Sequence, residues 1–326
     1  MFKNFCSIAL TSVLALAATS ATAQDIVFSG VSPTSDDYQL GVVWSGIARE
    51  AGISMTVVEN GTVSGMRKAA QGEIDMVGVG APHYLDAVGG TGKYTDDPEA
   101  FRDGYKGMKA ILAMPVGMAQ YVARTDTGIM SFTDLEGKTV GTGRPGGNAG
   151  KVTATLFDIH GIGGKVDGQA IKYGPAMEQM ASGTMDATLV WGSLPNAVID
   201  NASRQMDLRF VSPDPKTLKK FRSTISNGDY YVYQKIPAAS IETAYEGRVE
   251  AKGDAYFWTF PYQVMARGEI DDDTIYNLTK ALWENIDKVN AASAGLSLIT
   301  LESALEAISG DLHPGAMRYY KEIGLL

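Results

Sequence analysis

The residues best arranged to do chemistry are Gly141-Thr142-Gly143-Arg144-Pro145-Gly146-Gly147-Asn148-Ala149-Gly150, between the strand-like Lys138-Thr139-Val140 and the helix-like Val152 to Phe157. A first helical turn presents unpaired N–H groups and the positive end of the helix dipole, and glycine lets a ligand's oxygens approach the backbone. The stretch therefore predicts an anion site at Gly146, Gly147 and Asn148, with Arg144 and Asn148 adding side-chain donors. The spacing Gly141-x-Gly143-x-x-Gly146 also fits a dinucleotide fingerprint, but Pro145 interrupts the turn and no acidic residue stands about 20 positions on to hold a ribose. A phosphate-binding P-loop is excluded, because Gly150-Lys151 is followed by Val152 and not by Ser or Thr. A glycine-rich turn with no ligand fits the same residues.

Other chemistry is sparse. His83, His160 and His313 lie far apart without ligand-spaced partners and read as surface or structural residues, so neither zinc nor another cofactor is expected. No Gly-x-Ser-x-Gly elbow appears and nothing assembles into a catalytic triad, which argues against an enzyme. Of the carboxylate pairs, Asp96-Asp97 sits in a polar loop and reads as solvated, whereas Asp36-Asp37 faces the presumed cleft. Tyr38, Tyr84, Trp191, Tyr230 and Tyr231 stand at loop ends where they can wall a pocket, Trp191 foremost, while Trp44 and Trp283 sit on helical faces and read as core. Arg67 and Lys68 open a helix and read as a solvated face.

The elements that must carry these residues follow a βαβαβ order. Ile26-Val27-Phe28 reads as a strand, Ser29 to Asp37 as a loop, and Tyr38 to Ala48 as a helix with Leu40, Val43, Trp44 and Ile47 on one face. Met55 to Glu59 is a second strand, Met66 to Gln71 a helix closed by Gly72, and Ile74 to Val79 a third strand. Such an order implies a parallel sheet whose ligands sit beyond the carboxyl ends of the strands. The loops containing Ser29 and Gly30, Gly61 and Thr62, and Gly80 and Ala81 then share one rim.

The layout recurs. Gly72-Glu73-Ile74-Asp75-Met76-Val77-Gly78-Val79-Gly80 has a counterpart 111 positions on in Gly183-Thr184-Met185-Asp186-Ala187-Thr188-Leu189-Val190-Trp191-Gly192. Val27 and Val140, in the two first strands, are 113 apart. Two similar lobes follow, gripping a ligand between facing rims as a clamshell does. Ala110 to Val122, with Pro115 and Gly117 as flexing points, and Phe257 to Met265 suit two hinge strands between the lobes. They divide the chain into lobe I, residues 24–115 plus 263–326, and lobe II, residues 116–262. Asp271-Asp272-Asp273 precedes a helix from Thr274 to Lys288 and suits its cap better than a metal.

The chain of 326 residues begins with Met1-Phe2-Lys3-Asn4, an apolar run from Ile8 to Ala18 and the small-x-small triplet Ala21-Thr22-Ala23. Residues 1–23 therefore read as a signal peptide, and the mature chain is expected in the periplasm from Gln24, with no later span long enough for a membrane. Cys6, the single cysteine, leaves with the leader, so no disulfide framework is available. Loss of Lys3 leaves 27 basic against 37 acidic residues, a balance that makes nucleic acid a poor partner. A 45% hydrophobic content is enough to give both lobes a packed core.

Across essentially the whole mature chain the sequence resembles the TAXI-type solute receptors of tripartite ATP-independent periplasmic (TRAP) transporters. The resemblance rests on Gly61-Thr62-Val63, Gly72-Glu73-Ile74-Asp75, Ser131 to Val140, Gly143-Arg144-Pro145-Gly146-Gly147-Asn148-Ala149, Pro195-Asn196 and the ending His313-Pro314-Gly315-Ala316-Met317-Arg318-Tyr319-Tyr320-Lys321-Glu322-Ile323-Gly324. It implies an α/β, two-lobed, periplasmic-binding-protein-like (type II) clamshell, each lobe a mostly parallel sheet flanked by helices and joined by two hinge strands. It further implies a monomeric receptor that captures a small carboxylate, an organic acid, 2-oxo acid or amino acid such as glutamate, and delivers it to TRAP-type membrane permease subunits without catalysis. The family's ligand contacts fall on the loop before Tyr38, the Gly61-Thr62 turn, the Gly146-Gly147-Asn148 helix start and Trp191, Gly192 and Asn196. With the rim residues Ser29, Gly30, Gly80 and Ala81 and the cation Arg144, these are the expected ligand-binding residues. Two segments depart from the family pattern: Gly30-Val31-Ser32-Pro33-Thr34-Ser35-Asp36-Asp37-Tyr38 lacks a glycine cluster and paired tyrosines, and the third strand ends in Gly80-Ala81-Pro82 in place of a polar turn. A secreted transferase-like enzyme acting on a small acid fits the same two-lobed fold.

Overall fold

The apolar run Ile26-Val27-Phe28 starts the first strand, β1 (Ile26–Gly30), whose Ile26 and Phe28 are fully buried, in a computed structural model that describes residues 25–114 and 117–326. The stretch read as a signal peptide, residues 1–23, and Pro115 lie outside the described residues. After β1 come α1 (Asp36–Glu50), β2 (Met55–Glu59), α2 (Thr62–Ala70), β3 (Met76–Gly80), α3 (Ala81–Gly89), α4 (Glu99–Gly107) and β4 (Met108–Met114). Then follow β5 (Met118–Arg124), β6 (Thr139–Gly141), α5 (Asn148–Ile159), β7 (Asp167–Gln169), α6 (Tyr173–Ala181), β8 (Ala187–Gly192), α7 (Ala197–Ser203), β9 (Leu208–Phe210) and α8 (Leu218–Thr224). The chain ends through β10 (Val232–Ile236), α9 (Ala238–Ala244), β11 (Val249–Glu250), β12 (Ala255–Thr259), β13 (Tyr262–Arg267), α10 (Asp272–Glu284), α11 (Ile286–Asn290) and α12 (Pro314–Glu322).

Two mixed sheets dominate. The first runs β2-β1-β3-β13-β4, with β1, β2 and β3 parallel and β13 antiparallel to both neighbours. The second runs β11-β9-β5-β8-β6-β7, with β6, β7 and β8 parallel and β5 antiparallel to β8 and β9. The strand order β2-β1-β3-β13 of the first sheet thus reappears as β7-β6-β8-β5 in the second. A two-stranded ribbon, β10 with β12, is separate from both. Each apolar stretch read as one hinge strand is two strands in different sheets: β4 ends at Met114 and β5 begins at Met118, and β12 and β13 separate at Phe260-Pro261. A proline has no N–H to continue a ladder, and Pro261 instead offers its carbonyl to the Ala81 amide at 2.8 Å.

The repeated Gly-x-x-Asp sequence has the same structural job in both halves. The Asp75 carboxylate accepts a 2.9 Å hydrogen bond from the Val27 amide, and Asp186 accepts one of the same length from the Thr139 amide. Each ties the loop before the third strand to the beginning of the first. Trp44 and Trp283 are core, their ring N–H groups donating to the Leu278 carbonyl and the Tyr320 hydroxyl, both at 3.0 Å. Satisfying that donor is what makes burying a Trp favourable. The ending is also structural: His313, fully buried, caps α12 by accepting from the Gly315 amide at 3.2 Å, and a Cβ at Gly315 would stand 2.3 Å from the Asp272 carbonyl oxygen. His313 is thus buried, not a surface residue. Asp271 caps α10 through the Thr274 amide at 3.0 Å.

Candidate functional site

A cavity of about 100 Å³ lies between the two sheets. The first sheet and its helices contribute Val31, Ser32, Ser35, Asp36 and Asp37 before and within α1, Thr62 of α2, His83 of α3, Met114 of β4 and Tyr262 of β13. The second contributes Arg144, the Gly147-Asn148-Ala149 start of α5, Tyr173 of α6 and Trp191 and Gly192 of β8, and Phe260 closes the wall from the link between β12 and β13.

The aromatic wall is continuous. Trp191 stacks on Phe260 with ring centroids 4.9 Å apart and planes inclined by 26°, and Phe260 stacks in turn on Tyr262 at 6.5 Å and 24°. Gly80 makes room for this: a Cβ there would stand 2.2 Å from the Phe260 ring. Gly78 does the same for Asp37, whose carboxylate oxygen would be 2.7 Å from a Cβ. The two glycines of β3 therefore set how deeply an aromatic ring and a carboxylate enter the cavity wall.

The electrostatics differ from those of a simple anion site. Asp37 is buried and accepts from the Val31 amide at 3.0 Å and the Tyr262 hydroxyl at 2.9 Å, yet burial still raises its pKa. Asp36 is raised to about 6, first by burial and then by its neighbour Asp37, and among the described residues no cation stands within ion-pair distance of it. Burial lowers His83 to about 4, so it is a neutral imidazole. Tyr173 is raised to about 12 by burial. The one cation of the wall, Arg144, donates through Nη1 to the Val31 carbonyl at 2.9 Å and through Nη2 to Glu59. The α5 start, by contrast, is open: Gly147 is its N-cap and no side chain caps it, which leaves N–H groups to be satisfied at the cavity wall.

Of the expected ligand-binding residues, Thr62, Arg144, Gly147, Asn148, Trp191 and Gly192 line this cavity. Gly61 and Gly146 face instead a wider groove at its mouth, together with Lys93 and Lys172. The others have structural partners. Gly30 packs on the Tyr38 backbone, Ser29 is buried and accepts from the Asn60 amide group at 3.2 Å, and Ala81 is buried and bonded to Pro261. The Asn196 side chain caps α7 by accepting from the Val198 amide, and its backbone amide donates to the Tyr245 hydroxyl, both at 2.9 Å. Of the loop-end aromatics other than Trp191, Tyr38 is half-buried in α1 with its backbone against Gly30, Tyr84 is core, Tyr231 packs edge-on to Phe260 at 5.4 Å, and Tyr230 is exposed.

Sequence reasoning missed His83, Tyr173, Phe260 and Tyr262. His83 is 6% exposed and lies 5.0 Å from the Phe260 ring, so it too is not a surface residue. Phe260 and Tyr262 flank Pro261 inside an apolar run, and that proline was the available signal that the run turns at the cleft. Two polar latches close the cleft around these residues. Glu59 receives Arg144 and Lys172 at one side, and at the other Asp86 receives Asn227 at 2.7 Å and Ser226 at 3.0 Å.

The model of the NMT1-like family matches residues 31–324. Among solved structures the chain is similar to a protein of Bordetella bronchiseptica RB50, with 13% identity over 92% of this chain and 98% of that one and a TM-score of 0.53. It is also similar to MatC of Rhodopseudomonas palustris, solved with bound malate, with 12% identity over 92% and 97% of the two chains and a TM-score of 0.50. A third is the periplasmic aliphatic sulphonate binding protein SsuA from Escherichia coli, with 12% identity over 91% and 78% and a TM-score of 0.46. The fold is the α/β, two-sheet architecture of the periplasmic-binding-protein type. The chain belongs to the NMT1-like family.

Proposed function

We propose that this chain is a periplasmic solute-binding protein that captures a small carboxylate-bearing solute and presents it to the membrane subunits of a TRAP-type transporter. The observation that carries the reading is the cavity itself, walled by residues of both sheets and open to the uncapped start of α5. A carboxylate there satisfies helix N–H groups that have no other acceptor, while Trp191, Phe260 and Tyr262 cover the apolar part of the solute. Residues 24–115 with 263–326 and residues 116–262 act as the two lobes that close on it. The permease partner rests on the TAXI-type resemblance of the segments around Gly146 and of the ending from His313. The MatC structure holds malate, a solute of the proposed class.

A thermal-shift panel of dicarboxylates, 2-oxo acids, amino acids, short fatty acids and sugars tests the reading. A bound acid at 100 times its dissociation constant stabilises the chain by about 2.7 kcal/mol. A shift with sugars alone, or turnover of a bound acid, would replace it, the latter by the enzyme reading.

A further inference from the structure

The enclosed cavity has two neighbours of opposite charge. Arg144 and Gly147 line both it and the groove at its mouth, which holds about 940 Å³. Five cations border that groove, Arg67, Lys68, Lys93, Arg144 and Lys172, against two acids, Glu59 and Glu73. On the Asp36 side, a smaller hollow of about 230 Å³ is lined by Asp36 and Asp200 and, among the described residues, by no cation. A chain of formal net charge −9 thus gathers cations at one approach to its cavity and acids at the other.

Pairing does not cancel the excess at the mouth. Arg144 and Lys172 share one carboxylate, that of Glu59, and Arg67 pairs with Asp97. Among the described residues no carboxylate stands within ion-pair distance of Lys68 or Lys93. Lys93 donates instead to the carbonyls of Gly146 and Gly147, at 2.7 and 3.1 Å, which places its charge beside the start of α5. Burial and then the neighbouring Lys151 lower its pKa, so a further positive charge is close enough to act on it. α2 begins in the same groove at Gly61 with no side-chain cap, which adds the positive end of a helix dipole. In the smaller hollow, Asp200 is matched by Arg204 and Arg248, whereas Asp36 is unmatched among the described residues.

We propose that the mouth groove is an electrostatic funnel for an anionic solute: its cations concentrate a carboxylate and pass it along Arg144 and Gly147 to the start of α5, and the groove thereby sets the association rate. The proposal rests on the carboxylate reading above and adds the route by which the solute arrives. A cleft lined by one sign of charge raises the association rate of an oppositely charged ligand, and the gain falls with ionic strength. For the chain as a whole the sign is reversed, since a net negative protein repels an anion and salt relieves the repulsion. Salt therefore slows association if the groove governs the approach and speeds it if the net charge does.

Stopped-flow tryptophan fluorescence of residues 24–326 with succinate, L-malate, L-glutamate and propanoate, from about 10 to about 300 mM NaCl, tests this. For each acid that binds, the expected result is a fall of about three- to tenfold in the association rate constant, larger for the dianions succinate and malate than for the other two. Lys68→Glu breaks no ion pair and should slow association at low salt by about threefold or more and flatten its salt dependence, with dissociation changed by less than about twofold. Lys252→Glu, the same charge change outside the groove, should leave association unchanged. An association rate that rises with salt, or that responds equally to the two variants, would overturn the funnel and leave the carboxylate reading intact. Absence of binding by all four acids would overturn the carboxylate reading and the funnel with it. The salt series on the parent protein needs neither variant, so a poorly folded Lys68→Glu protein does not obscure the outcome.

Discussion

Arg144 and Glu59 form an ion pair across the cleft, Arg144 standing after β6 of the second sheet and Glu59 at the end of β2 of the first. The guanidinium holds the Glu59 carboxyl below its ordinary range, first by its hydrogen bond, and Lys172 at 3.2 Å adds to this. Arg144 also fastens to the Val31 carbonyl, so two groups at the rim of the first sheet, the Glu59 carboxylate and the Val31 carbonyl, are held by Arg144 and Lys172 from the side of the second. The pair ties the rims of the two sheets together. Arg144→Ala is expected to weaken solute binding by about 5- to 30-fold, corresponding to about 1–2 kcal/mol for a partly exposed charged hydrogen bond. Glu59→Gln should do the same by a smaller factor, and the double variant no worse than Arg144→Ala alone. Calorimetric titration of the three variants checks this; a full loss in Arg144→Ala with none in Glu59→Gln would assign the guanidinium to the solute.

Asp36 makes stability depend on pH in a defined direction. Its folded-state pKa is about 6, raised by burial and then by Asp37, against about 3.9 in an unfolded chain. Below pH 4 the group is protonated in both states and costs nothing. As pH rises from about 4 through 6 the unfolded chain releases the proton first, so up to about 3 kcal/mol of stability is lost, and the loss is constant above pH 6. Asp37 beside it on α1 adds to the rise, and a hydrogen bond from the Gly117 amide opposes it. Asp36→Asn should therefore be more stable than the parent at pH 7.5 and equal to it below pH 4. Denaturant unfolding at four pH values checks this, and a variant less stable at pH 7.5 contradicts it.

Gly80 has an ordinary backbone conformation as the N-cap of α3, φ −72° and ψ 143°, so any penalty for Gly80→Ala is purely steric. The new Cβ would stand 2.2 Å from the Phe260 ring, and that ring cannot move without disturbing its stack on Trp191 and Tyr262. A loss of about 1–3 kcal/mol is expected, together with weaker solute binding. Unchanged unfolding and unchanged affinity would mean that Phe260 relaxes without affecting the cavity.

Asp75 and Asp186 predict matched behaviour in the two halves. Asp75→Asn and Asp186→Asn each lose a charged hydrogen bond to a first-strand amide, and Asp75 also loses Arg267 at 2.8 Å. Each should lower stability by about 1–3 kcal/mol, Asp75→Asn by more, with the affinity of the folded protein unchanged. An affinity change at equal folded fraction would contradict a purely structural role.

These aspartates show why the fold was legible in the sequence. A Gly-x-x-Asp turn before an apolar strand appears twice at a fixed offset because the same tie is made twice, and strand order follows from it. Trp44 and Trp283 were readable as core because helical spacing places them on buried faces. The site was legible only in part. Trp191, Arg144 and the Gly147-Asn148 helix start stand where loops end at strand tips, a position that local sequence reveals. Phe260 and Tyr262 look like strand residues in an apolar run, and only the change of sheet at Pro261 brings them to the cleft. His83 follows Pro82 in a short helix, and its cavity-facing burial depends on Phe260, 177 residues later. Ser29, Gly30, Ala81 and Asn196 lie at the same strand ends, but they are engaged by Asn60, Tyr38, Pro261 and Tyr245 and not by the cavity, which rim position alone does not distinguish.

Whether the chain captures a small carboxylate is tested most directly by titrating residues 24–326 calorimetrically with the acid that stabilises them most, then recovering that acid for chemical analysis. The account predicts saturable one-to-one binding, a negative heat-capacity change from burial against Trp191, Phe260 and Tyr262, and a solute recovered unchanged. Chemical conversion of the acid, or the absence of saturable binding for every carboxylate that fits the cavity, would contradict it.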